Sequence, residues 1–126
     1  MKNRFKLIFL LITATLFLYI LYLKSSSSVN IKDINKKEVI YLRKSKHQET
    51  VYGFSVKIIG KIEGVAKVTL RQSSPKGNLH RKQIINGNVD INWGGDWYTD
   101  TIVIIYEPVG VVKSGKLKID YEFNGL

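Results

Sequence analysis

The sequence predicts an all-β fold: a small antiparallel β-sandwich, or partly open barrel, of about seven strands, preceded by a single N-terminal transmembrane helix. Three observations lead there. Residues 7–23 (LIFLLITATLFLYILYL) contain no charge, Gly or Pro. From about Glu38 to Phe123, apolar and polar residues alternate with the period of a strand. The alternation is broken at clusters of Gly, Asn, Pro and Ser, the residues that turn a chain.

The leader comes first. Lys2, Arg4 and Lys6 precede the apolar run and Lys24 closes it. At ~1.5 Å per residue the run spans roughly 25 Å, close to the minimum for a ~30 Å hydrocarbon core. Thr13 and Thr15 can return their hydroxyls to backbone carbonyls, so neither disqualifies it. Tyr19 and Tyr22 suit the interfacial layer, and Lys24 can snorkel to it. Residues 1–24 therefore read as a membrane anchor or uncleaved signal, with the N-terminus cytoplasmic and the rest extracytoplasmic. Cleavage would release a secreted protein, but the run exceeds an ordinary signal core and lacks an A-x-A site.

Residues 25–37 read as a Ser-rich, basic linker, and residues 38–126 as the β-domain. EVIYLR (Glu38 to Arg43) is the first strand. In YGFSVKI, Phe54, Val56 and Ile58 share a face; Gly60-Lys61 is expected to turn, after which Ala66, Val68 and Leu70 alternate with polar residues. QSSPKGN is a loop. Asn86-Gly87 in IINGNV predicts a type I′ hairpin, which would set Ile84 against Val89 on the inner face and Arg81 near Asp90. It also sets His80 across from Trp93. TIVIIYE (Thr101 to Glu107) is apolar on both faces, as a central strand is, and Pro108 is expected to end it. In KLKIDYEF, Leu117, Ile119, Tyr121 and Phe123 face inward.

Chemistry is sparse. The chain has 126 residues, a net charge of +10, no cysteine and two histidines. That excludes a disulfide framework, a thiolate nucleophile and a Cys-ligated metal, and two histidines are too few for a protein-only zinc site. No G-x-S-x-G elbow, P-loop, Rossmann fingerprint or H-E-x-x-H occurs, and no cofactor is implied.

The densest cluster is NWGGDWYTD, residues 92–100. It has two readings. Trp97 can cover an open end of the sandwich, as large aromatics usually bury. Alternatively Trp97 and Tyr98 form a stacking platform for a glycan, with Asp96 and Asp100 accepting its hydroxyls. A calcium site from Asp96, Asp100 and Asp90 lacks a D-x-D-x-D-G loop. A glycosidase pair from Asp96 and Asp100 lacks the walls of a deep cleft.

The second candidate is the basic surface of Lys36, Lys37, Arg43, Lys44 and Lys46, suited to an anionic polymer or lipid headgroups. The expected function is a membrane-tethered extracytoplasmic binding module for an envelope protein, anionic polymer or glycan, acting without catalysis. An immunity or inhibitor protein against an exported toxin is the alternative, and a small hydrolase the less favoured one. Nucleic acid is not an expected partner of an exported domain.

Overall fold

A computed structural model describes residues 2–23 and 27–126. Lys24, Ser25, Ser26 and the Tyr22 side chain, on which part of the leader and spacer reading rests, lie outside the described residues. The apolar run and its basic flank form one helix, α1 (Lys2–Leu23), of 22 residues. Its span Lys2–Leu21 has a mean hydropathy of 2.0 and is nowhere buried by the rest of the chain. It is long and apolar enough to cross a membrane, a property that anchors and signal sequences share. Thr13 donates to the carbonyls of Phe9 (3.0 Å) and Leu10 (2.9 Å), and Thr15 to those of Leu11 and Ile12 (both 2.9 Å). Both hydroxyls are thus satisfied inside the helix.

The β-domain is a curled antiparallel sheet, a half-barrel of six strands: β1 (Ser27–Asn30), β2 (Glu38–Arg43), β3 (Val51–Gln72), β4 (Leu79–Asp96), β5 (Thr101–Val109) and β6 (Gly115–Gly125). The six strands match the predicted all-β fold of about seven, with β3 running as one strand where the sequence suggested two. β3 and β4 are one long hairpin, closed by residues 73–78 and paired from Gly53↔Asp96 to Arg71↔Leu79. Along the other edge of β3, β6 and β5 lie end to end: Phe54 pairs with Phe123, and Leu70 with Ile104. Outside them, β1 pairs with β6 and β2 with β5. The result is a four-lane sheet in which every lane is interrupted along one transverse line.

That line is a crease. It crosses residues 31–37 between β1 and β2, residues 110–114 between β5 and β6, a bulge at Glu63-Gly64 in β3, and Asn86-Gly87 in β4. Strands commonly change sheets through such bulges and bends. The crease is stitched by backbone bonds from Glu63 N to Ser114 O and from Lys113 N to Glu63 O, each 2.8 Å. Asn35 Oδ1 accepts from Val112 N at 3.1 Å, and the Tyr106 hydroxyl donates to Ile34 O at 2.6 Å. Burial, with the Asp33 charge adding, pushes the Tyr106 phenol above its ordinary pKa and keeps it a donor.

On either side of the crease lie two leaves. Phe54, Val56, Ile58, Val89, Ile91, Leu117, Ile119 and Phe123 come from the first; Ile40, Leu42, Val68, Leu70, Ile85, Ile102, Ile104 and Tyr106 come from the second. All belong to one buried cluster. β5 lies between β3 and β2, and both its faces are buried: Val103 and Ile105 are covered on the outer side, beside Tyr41 and Val39 of β2.

Three local expectations are corrected. Gly60-Lys61 does not turn the chain, because β3 stays paired on both sides there, to Val89 and Leu117 at Gly60. Pro108 does not end β5, which continues to Val109 and pairs Ala66 with Pro108. Asn86-Gly87 is a bend within β4 rather than a hairpin. Only Gly87 has positive φ (71°), whereas a type I′ turn needs it at both positions. The inner face therefore changes by one residue: Ile85 is buried opposite Ala66, and Ile84 is exposed opposite Lys67. Arg81 turns to Gly94 O (3.3 Å) and His80 O (2.9 Å) instead of Asp90. The sheet also starts earlier than the expected domain start at residue 38, since Ser27 and Ser28 pair with Tyr121 and Asp120.

This register has a direct test. Ile85→Ala is expected to cost about 2–4 kcal/mol in urea unfolding, and Ile84→Ala under about 0.5 kcal/mol. The reverse ranking would restore the hairpin register.

Candidate functional site

The two ends of the leaves differ in chemistry. Opposite the crease is a mouth, where residues 44–50 and 97–100 pass from one leaf to the other and residues 73–78 close the β3–β4 hairpin. The NWGGDWYTD cluster sits here and divides by burial. Trp97 is 2% exposed. Its ring meets Phe54 at 5.0 Å and His80 at 4.9 Å between centroids, both edge-on, and its backbone N–H donates to Tyr52 O at 3.1 Å. His80 therefore packs on Trp97 rather than across from Trp93. A ring so enclosed offers no face for stacking, and the two-ring platform is not assembled. Tyr98, its neighbour, is 76% exposed.

Asp96 and Asp100 are both exposed, Asp96 at the end of the first leaf and Asp100 before the second. Asp100 accepts from Thr101 Oγ1 at 3.0 Å, and its carbonyl accepts from Lys44 N at 3.0 Å. Asp90 lies six residues up β4, ~20 Å away at a strand's rise, and holds Asn92 Nδ2 at 3.3 Å. Among the described residues no group of three His, Cys, Asp or Glu is placed to hold a metal ion. A cleft of about 340 Å³ lies beside the mouth, between Arg43, Ser45 and Gln48 on one side and Tyr121 and Glu122 on the other.

The five basic residues singled out in the sequence do not form one surface. Arg43, Lys44 and Lys46 are at the mouth, and the Lys44 ammonium is held by the Gln48 carbonyl. Lys36 and Lys37 are at the crease, roughly 20 Å away along β2. Lys36 lies 4.0 Å from Asp33. At the same end Lys67 is hydrogen-bonded to Glu107 at 3.1 Å, and with its charge, and a smaller contribution from Lys37, holds that carboxyl below its ordinary pKa.

Sequence reasoning missed the crease groove. Two Gly-Lys dipeptides, Gly60-Lys61 and Gly115-Lys116, lie on neighbouring strands, and the β3–β6 register sets Lys61 directly opposite Lys116. Directly opposed residues on adjacent strands sit about 5 Å apart, and like charges there destabilise a sheet. Both lysines are exposed, and among the described residues neither makes an ion pair. They line an open groove of about 750 Å³ whose lining also includes Gly60, Gly64, Gly87 and Gly115. Its acid, Glu63, accepts from Ser114 Oγ at 3.2 Å. The repeated Gly-Lys pair was visible in the sequence; the register that opposes the two lysines was not.

No family model matches the chain, and no curated protein matches it significantly. Solved structures do match it. The crystal structure of PirA matches with a TM-score of 0.52 at 14% identity, covering 77% of this chain and 93% of that one. A chain from the Bacillus endospore appendages, which form disulfide-linked pili, matches at 0.42 and 9% identity over 81% and 92%. The module CsCBM6-3 from Clostridium stercorarium, solved with cellobiose, matches at 0.37 and 10% identity over 79% and 94%. The PirA likeness carries the fold alone and fixes no chemistry.

Proposed function

We propose that this protein is a membrane-tethered binding module that holds an anionic envelope polymer in the crease groove and does no catalysis of its own. One observation carries the reading: Lys61 and Lys116, directly opposed and without an ion pair among the described residues, line a groove at the crease, opposite the mouth. Two like charges rooted on directly opposed strand positions repel each other, and a polyanion lying between them relieves that repulsion while gaining two charge-assisted contacts. Glycines bordering the groove let a ligand approach the backbone closely. β6 is 11 residues long, so the crease stands roughly 35 Å from the mouth. A tether at the mouth end presents the groove outward.

The test uses the full chain in detergent and a labelled polyphosphate as probe, with anisotropy read at two salt concentrations. Lys61→Gln with Lys116→Gln is expected to weaken binding at least about tenfold and to flatten its salt dependence. Lys67→Gln, whose ammonium already faces Glu107, is expected to bind as the parent does. The double variant is expected to be as stable as the parent or slightly more so, because removing a like-charge pair returns ~0.2–1 kcal/mol. Parental affinity in the double variant would remove the reading.

A further inference from the structure

We infer that the mouth of the sheet rests on the bilayer that holds α1, with Tyr98 and Tyr52 in the headgroup layer. The inference rests on the reading of α1 as an uncleaved tether. Its first support is covalent reach. From Leu23, the last helical residue, to Ser27, the first of β1, the chain makes four steps, which span at most ~14 Å when extended. Ser27 pairs with Tyr121, and β6 runs four residues further, to Gly125, at the rim of the mouth. Those four residues cover ~13 Å. The rim is therefore within the tether's reach of the helix end, whereas the crease, six residues the other way along β6 at Gly115 (~20 Å), lies beyond it.

The second support is what the rim exposes. Tyr98 is 76% and Tyr52 is 55% exposed, and the backbone bond from Trp97 N to Tyr52 O makes the two neighbours. Tyrosine combines an apolar ring with a polar tip, the pairing that concentrates at membrane–water interfaces. Behind them Trp97 closes the core, so the rim can touch the interface without opening the leaves. Strong contact is not needed. A short tether holds the rim at a millimolar effective concentration, at which weak contacts stay formed.

The absence of cysteine makes single-site labelling clean. Tyr98→Cys and Val111→Cys, the latter 79% exposed at the crease, are each labelled with an environment-sensitive fluorophore in the full chain. Both are reconstituted into phosphatidylcholine vesicles containing a lipid spin-labelled at the headgroup. The expected result is several-fold stronger quenching at position 98 than at 111, with unchanged melting for both variants. Equal quenching, or stronger quenching at 111, overturns the inference. An alkaline wash of the vesicles separates the two failures. A chain that washes off ends the tether reading and this inference together; a retained chain with equal quenching ends the orientation alone.

Discussion

Gly60→Ala is expected to destabilise the protein by about 3–5 kcal/mol, a large share of the ~5–15 kcal/mol that keeps a domain of this size folded. A methyl group built on Gly60 would lie 1.9 Å from the Lys116 carbonyl oxygen, and the backbone there has φ +151°. The neighbour is backbone of a paired strand and cannot swing aside, so β3 and β6 must separate just where the sheet creases. Gly87→Ala is the matched control. Gly87 also has positive φ (+71°), but nothing lies within 4 Å of its added methyl. Its expected cost is the left-handed backbone penalty alone, about 1–2 kcal/mol. Chemical unfolding of both variants in the full chain measures the difference. Similar losses would mean that the crease is an ordinary flexible bend.

Trp97→Ala is expected to cost about 3–5 kcal/mol, the usual effect of emptying a buried aromatic site. Phe54 and His80 would both lose the ring they pack on, and the mouth would open to water. Tyr98→Ala, one residue on, is expected to change stability by under about 0.5 kcal/mol because its ring faces solvent. Trp97→Phe sharpens the comparison. Trp97 Nε1 is buried with no hydrogen-bond partner among the described residues. An unsatisfied buried donor costs roughly 1–3 kcal/mol, so phenylalanine removes a penalty while losing volume. Its net cost is expected to fall well below that of alanine. Thermal melts rank the three variants; a Trp97→Ala protein as stable as the parent would return Trp97 to the list of ligand-facing residues.

These two positions show where local reading succeeds and where it stops. Alternation placed Phe54, Val56, Ile58, Val68, Leu70, Ile91, Leu117 and Ile119 inside, and all are buried. The face a strand residue takes depends only on backbone pleat, which is local. The strand Glu38–Arg43 was legible to the residue for the same reason. Asn86-Gly87 and Gly60-Lys61 were not legible, because glycine and asparagine permit both a reversal and a bend. Which one occurs depends on whether a partner strand continues past the break. Here β3 continues past Asn86-Gly87, and β4 and β6 continue past Gly60, so reversal would forfeit a ladder already paired.

The functional surfaces divide along the same line. NWGGDWYTD was conspicuous by composition, yet its two central aromatics have opposite environments, and no pattern in nine residues separates a plug from a rim. The basic residues 36–46 looked like one patch because they are close in sequence. An extended β2 carries Lys36 and Lys46 to opposite ends of the domain.

From its own order of residues the chain specifies an apolar helix long enough for a bilayer, a strand-built domain behind it and the composition of its core. These follow from local backbone geometry and from the cost of leaving apolar side chains in water. Tertiary pairing alone determines that four interrupted lanes share one crease, that Lys61 meets Lys116 on adjacent strands beside it, and that Trp97 seals the far end. Those are contacts between residues distant in sequence, whose energy depends on register, and register is a property of two strands and never of one.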